Sequence, residues 1–132
     1  MSEDGLVTVA SNHPVKDSID RLEAGLAAKG IAVFARIDHA AGAASVDMAL
    51  RPTELLIFGN PRAGTPLMQS DQHIGIDLPL KMLAWQDEAG KVWRTYNHVK
   101  WLARRHRLGT DAEPAVDALA RVLAGLAEAA SG

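Results

Sequence analysis

The chain has 132 residues, 48% hydrophobic, with 14 Lys and Arg against 16 Asp and Glu, a formal net charge of -2 and no cysteine. Such a length fits one domain burying roughly two-thirds of its unfolded surface, so a core is available without metal or crosslink. The absence of cysteine excludes disulfides, thiol catalysis and thiolate metal sites, and the slight negative charge argues against a general affinity for nucleic acid or anionic membrane. The acidic start "MSEDG" lacks a basic signal-peptide region, and no apolar run approaches the ~20 residues that span a bilayer. A soluble, cytoplasmic single domain over residues 1–132 is the expectation, with no membrane partner.

"LVTVA" at 6–10 alternates and is rich in β-branched residues, which predicts an opening strand. Ser11 or Asn12 can cap the helix that follows, with Pro14 near its first turn. Val15, Ile19, Leu22 and Leu26 recur at spacings of four, three and four and form one apolar stripe, which Gly30 closes. "IAVFARI" at 31–37 predicts a strand with Ile31, Val33, Ala35 and Ile37 on one face. "HAAGAASVDMAL" is compatible with a small helix ended by Pro52. "TELLIFG" at 53–59 does not alternate, which predicts a strand covered on both sides.

The stretch Gly59-Asn-Pro-Arg-Ala-Gly64-Thr65 has the glycine spacing of a phosphate-binding loop without the lysine, and Pro61 removes one backbone donor from the cradle. It reads as a sharp exit from a buried strand. "LPLKMLAWQD" and "KVWRTYN" predict two strands joined by a hairpin turn at "EAG", with Leu78, Leu80, Met82 and Ala84 opposite Lys81, Leu83 and Trp85. "HVKWLARRHRL" predicts a helix with Val99, Leu102, Ala103 and His106 in one stripe. The final helix presents Val116, Leu119, Val122, Leu123 and Leu126. The order predicts an α+β fold with a mainly antiparallel sheet.

Candidate chemistry is sparse. The five histidines include no His-x-His or His-x-x-x-His pair; the conceivable spatial metal site, His39 and His73 with Asp38 or Asp77, has surface or capping histidines as its plainer alternative, so no metal is assigned. Asp38-His39 stands where a strand meets a small-residue helix. Asp38 is expected to cap that helix, while His39, with a carboxylate beside it, is the candidate acid/base. Residues 91–107 interleave Arg94, Lys100, Arg104, Arg105 and Arg107 with Trp93, Tyr96 and Trp101, a pattern that single-stranded nucleic acid binding requires. Arginines at a helix end also complement its dipole, and acidic residues at 111, 113 and 117 offset the charge, so nucleic acid is not the expected partner.

"IDHAAGA" at 37–43, "RPTELLIFGNPRAGTPLM" at 51–68, "GIDLPLKMLAWQDEAGKVW" at 75–93 and "YNHVKWLARRH" at 96–106 resemble the bacterial domain-of-unknown-function family 302. The resemblance covers about residues 6–108. It implies a β-α-β(4)-α sandwich like that of the TATA-binding protein, with a curved sheet, helices on one face and a homodimer. The helix over 112–130 then stands as a C-terminal extension. It implies no reaction and no cofactor, and the architecture alone does not mean DNA binding.

From the family blocks, the polar residues Asp38, His39, Asn60, Asp77, Lys81 and Tyr96 are the candidate ligand set, expected to converge on one concavity at strand ends. The expected function is a dimeric small-molecule-binding or sensing module without catalysis. The alternative is an enzyme using His39 on a small anionic substrate, with Asp38 or Asp77 orienting it and Lys81 holding the anion. The dimer interface is expected from strands within 78–96, because Trp85, Trp93 and Trp101 are more aromatic surface than one small sheet can cover.

Overall fold

A computed structural model describes residues 3–131; Met1, Ser2 and Gly132, the ends of the expected 1–132 domain, lie outside the described residues. Five strands form one sheet in the order β1-β5-β4-β3-β2. They are β1 (Leu6–Ser11), β2 (Ala32–Asp38), β3 (Thr53–Gly59), β4 (Leu80–Gln86) and β5 (Val92–Asn97). Every neighbouring pair is antiparallel, as the α+β reading predicts.

The helices are α1 (Val15–Ala28), α2 (His39–Ser45), α3 (Pro61–Ser70), α4 (Val99–Arg105) and α5 (Glu113–Ser131). The apolar stripe of α1 is buried at all four predicted positions, Val15, Ile19, Leu22 and Leu26. It packs against α5, which buries Val116, Leu119, Leu123 and Leu126; α1 lies over β3 and β4, which bury Leu56, Phe58, Met82 and Ala84, and α5 lies over β1. The helix start differs from the expectation. Pro14 stands at the N-cap, while the Ser11 hydroxyl accepts the His13 N–H and contacts the Ser18 hydroxyl at 2.7 Å.

Two strand readings are corrected. In β2 the register shifts between Val33 and Ala35, so Val33 pairs with Phe58 and Ala35 with Ile57, residues on opposite sheet faces. The extra residue is Phe34, a β-bulge that simple alternation cannot reveal. In β3 burial alternates: Glu54, Leu56 and Phe58 are buried, and Leu55 and Ile57 only partly so. Its non-alternating apolar sequence therefore reflects a second apolar face that the described helices leave only partly buried.

The Gly59–Thr65 stretch is also more than a turn. The Asn60 side chain accepts the Arg62 N–H at 3.0 Å and starts α3, with Pro61 in the first turn where a missing N–H costs little. In the β4–β5 turn Gly90 adopts φ 84°, which a side chain would disfavour.

Candidate functional site

The six candidate ligand residues do not share one concavity. Asp38 spends its carboxylate on the Ala41 N–H at 2.9 Å and caps α2, the structural role the sequence allowed. His39, the first residue of α2, is exposed. Lys81 lies on the uncovered sheet face, where its ammonium reaches the Asp77 carbonyl at 3.3 Å, whereas Tyr96 is buried on the helix-covered face. Opposite faces of one sheet cannot present both groups to a single ligand. Burial raises the Tyr96 pKa, which keeps its phenol neutral.

Asp77 belongs to another cluster. Its carboxylate takes the His106 ring Nε2 at 2.6 Å and the Arg105 guanidinium at 3.0 Å, which ties the end of α4 to the segment before β4. The sequence placed His106 on an apolar stripe but gave no signal for this partner, 29 residues away. Among the described residues no three His, Asp or Glu side chains gather as a metal site would require.

Asn60 alone of the six borders the main cavity, which has a volume of about 610 Å³. Several elements build it. Lys29 and Ile31 follow α1, Phe34 is the β2 bulge, Phe58 and Gly59 end β3, and α3 contributes Ala63, Gly64, Thr65 and Met68. Leu78, Pro79 and Leu80 close one wall, and Leu119 and Val122 of α5 another. Small residues create the space. A Cβ added at Gly64 would meet only Leu78 Cδ1 at 3.8 Å and Met68 Cε at 4.0 Å, so the glycine leaves room for a group of ligand size. Phe34 lies over Gly59, where a Cβ would come within 3.3 Å of its ring. The volume sits within the 300–1,000 Å³ typical of small-molecule sites, roughly in mid-range, and the mostly apolar lining with a few polar groups is their usual chemistry.

The uncovered face of the sheet carries Leu55, Ile57, Leu83, Trp85 and Trp93. The two indoles stack with centroids 6.4 Å apart. Their N–H groups are already satisfied: Trp85 donates to the Thr95 hydroxyl and Trp93 to the Asp87 carboxylate, each at 2.9 Å. That bond to Trp93, with the Lys91 and Ala89 amides, holds the Asp87 carboxyl below the usual carboxylate range. Trp101 is elsewhere. It packs on Gly5, whose φ of 75° and missing Cβ make room for the ring, and donates to the Glu3 carbonyl at 3.0 Å.

The basic and aromatic residues of 91–107 are not interleaved on one surface: Lys100, Arg104 and Arg107 border a pocket together with Glu113 and Asp117, and none of the aromatic residues lines it. Arg94 is buried, Arg105 is paired with Asp77, and Lys100 lies 3.6 Å from Asp117. Burial lowers the Arg94 pKa.

The model of the family described as "Domain of unknown function DUF302" matches residues 7–126. The chain belongs to the DUF302 family. The match takes in most of α5, the helix that the sequence reading set beyond the family core. A crystal structure of the uncharacterized conserved protein DUF302 from Bacillus stearothermophilus shares the fold with a TM-score of 0.84 at 17% identity, over 96% of this chain and 98% of that one.

Two curated relatives are each named "Fluoride-specific ion channel FluC 1". Those of Brucella suis and Brucella abortus are both 50% identical over 117 residues, covering 89% of this chain. The chain spans less than half of either relative, 46% and 43%. No helix among the described residues is long and apolar enough to cross a membrane. The resemblance to these relatives therefore runs through a DUF302 domain, and their name describes proteins more than twice the length of the match.

Proposed function

We propose that this DUF302 domain is a non-catalytic, homodimeric module that binds a small molecule in the cavity bordered by Asn60, Gly64 and Met68, in a cytoplasmic setting. The observation that carries the reading is that cavity of about 610 Å³, apolar and opened by glycine. In the relatives named fluoride-specific ion channels, a module of this kind would report ligand occupancy to the remainder of a longer protein.

The second copy covers the open sheet face. Five strands at a spacing of ~4.8 Å and six residues at ~3.3 Å give a face of about 24 by 20 Å, ~500 Å² in projection. Its protruding indoles raise the accessible area toward the ~800 Å² per partner of a standard interface. Since the face's indole N–H groups and Thr8 and Thr95 hydroxyls are partnered within the sheet, covering it leaves them satisfied.

The enzyme reading through His39 gains no support from geometry, because Asp38 is committed to its cap and Lys81 and Asp77 belong to other contacts. The test is a thermal-shift screen against metabolite classes with native mass spectrometry of the purified chain. Saturable stabilisation or a co-purifying molecule supports the binding module. Absence of both across all classes contradicts it.

A further inference from the structure

We infer that the cavity ligand is a single-chain amphiphile carrying a carboxylate, its alkyl chain along the apolar walls and its head at Lys29 and Asn60. This rests on the cavity being a ligand site and adds the chemical class of the occupant.

Among the described residues no Asp or Glu borders the cavity, and Lys29 is its one charged residue. A cationic head would meet an uncompensated like charge there, whereas an anion would meet a partner. Lys29 makes no ion pair among the described residues.

Position adds to charge. Ala32 pairs with Gly59, so the chain just before β2 and the residue just after β3 lie at the same end of the sheet. Lys29 and Asn60 therefore both border the cavity from the same end of the sheet. The Asn60 Oδ1 is occupied by the Arg62 N–H, which leaves the side-chain amide as a donor rather than an acceptor. An ammonium and an amide donor at one end suit a carboxylate, and they are poorly suited to an amine.

The body of the cavity asks for hydrocarbon. Phe58, Leu80, Leu119 and Met68 line it, and Met68, unbranched and flexible, adapts to a chain of variable length. Beside Lys29, Asn60 and Thr65 are the polar side chains among the described lining residues, too few to satisfy the hydroxyls of a sugar or nucleotide.

The experiment is isothermal titration of the full chain with sodium dodecanoate below its micelle concentration, with dodecylammonium and dodecanol in parallel. We expect one dodecanoate per chain, bound more tightly than either control. Lys29→Met should weaken dodecanoate about three- to fivefold, the scale of a partly exposed charge contact, and leave dodecanol unchanged. Gly64→Leu and Ala63→Leu, which add bulk at the cavity wall from α3, should each weaken all three probes at least about tenfold while the chain still unfolds cooperatively. Two independent variants guard against one that fails to fold.

Equal binding of the three probes, or indifference to Lys29→Met, would overturn the carboxylate assignment and leave the cavity reading standing. Binding that survives both filling variants would place the alkyl chain elsewhere, on the open sheet face for instance, and overturn both. No binding of any probe would overturn the amphiphile assignment, with the metabolite screen left to decide the cavity.

Discussion

The two faces of this sheet come from the same alternating strands, yet they are finished in opposite ways. On the covered face Leu56, Phe58, Met82 and Ala84 lie under the helical layer at 0–1% exposure. On the other face, Leu55, Ile57, Leu83, Trp85 and Trp93 are as apolar but only partly buried. A sheet face that satisfies its own polar groups and stays apolar is the surface assigned to the proposed dimer, whereas the covered face is a core. Burial pattern, rather than hydrophobicity alone, distinguishes the two faces.

Truncation on each face gives the largest test of that contrast. Leu56→Ala should cost about 2–5 kcal/mol in urea unfolding, at any protein concentration, because it opens a cavity in the core. Ile57→Lys, one residue away, should leave the monomer's stability within about 1 kcal/mol. It should convert a dimer to a monomer in light scattering at micromolar concentration. A wild-type monomer under those conditions would remove the dimer and collapse the comparison.

Charge comes next. Burial opposes the Arg36 charge, but hydrogen bonds to Asp20 and Glu54 outweigh it and raise its pKa. The bond from Arg36, at 2.6 Å, holds the Asp20 carboxyl below the usual carboxylate range, and Asp87 is lowered through Trp93 on the other face. A depressed folded pKa means that the stabilisation is present above the unfolded value, about 3.9 for Asp, and is lost as pH falls through the folded value. Unfolding midpoints should therefore drop below about pH 4, and Asp20→Asn or Asp87→Asn should each flatten that drop. An unchanged profile in both variants would contradict these pairings.

The smallest effect belongs to Phe34. At 55% exposed it contributes little burial, so Phe34→Ala should change stability by less than about 1 kcal/mol. It should nevertheless weaken dodecanoate, because the ring borders the cavity. A large loss of stability would mean that the bulge residue is part of the core.

The sequence carried the fold well because periodicity is local. The stripe Val15–Ile19–Leu22–Leu26 and the alternation in β4 could be read directly, since each residue's facing follows from its spacing. The α3 helix was hidden because Gly64, Pro61 and Pro66 read as breakers, while Asn60 as cap and Pro61 in the first turn make the segment start a helix. The candidate set was the least legible part. Asp38, Lys81 and Tyr96 carry ligand-like chemistry, but only tertiary structure shows that two of them lie on opposite sheet faces and the third is a cap. The cavity was invisible because its walls come from separate elements and Gly64 borders it without a side chain, and an absent side chain leaves no pattern.

Methyl NMR of the methionines during a dodecanoate titration tests the ligand site most directly. Met68 lines the cavity, Met82 is buried under the helices and Met48 is 67% exposed on the loop before β3. The account predicts a saturable shift at the Met68 methyl with Met48 unmoved and Met82 little changed. A titration that shifts Met48 while leaving Met68 in place would contradict it.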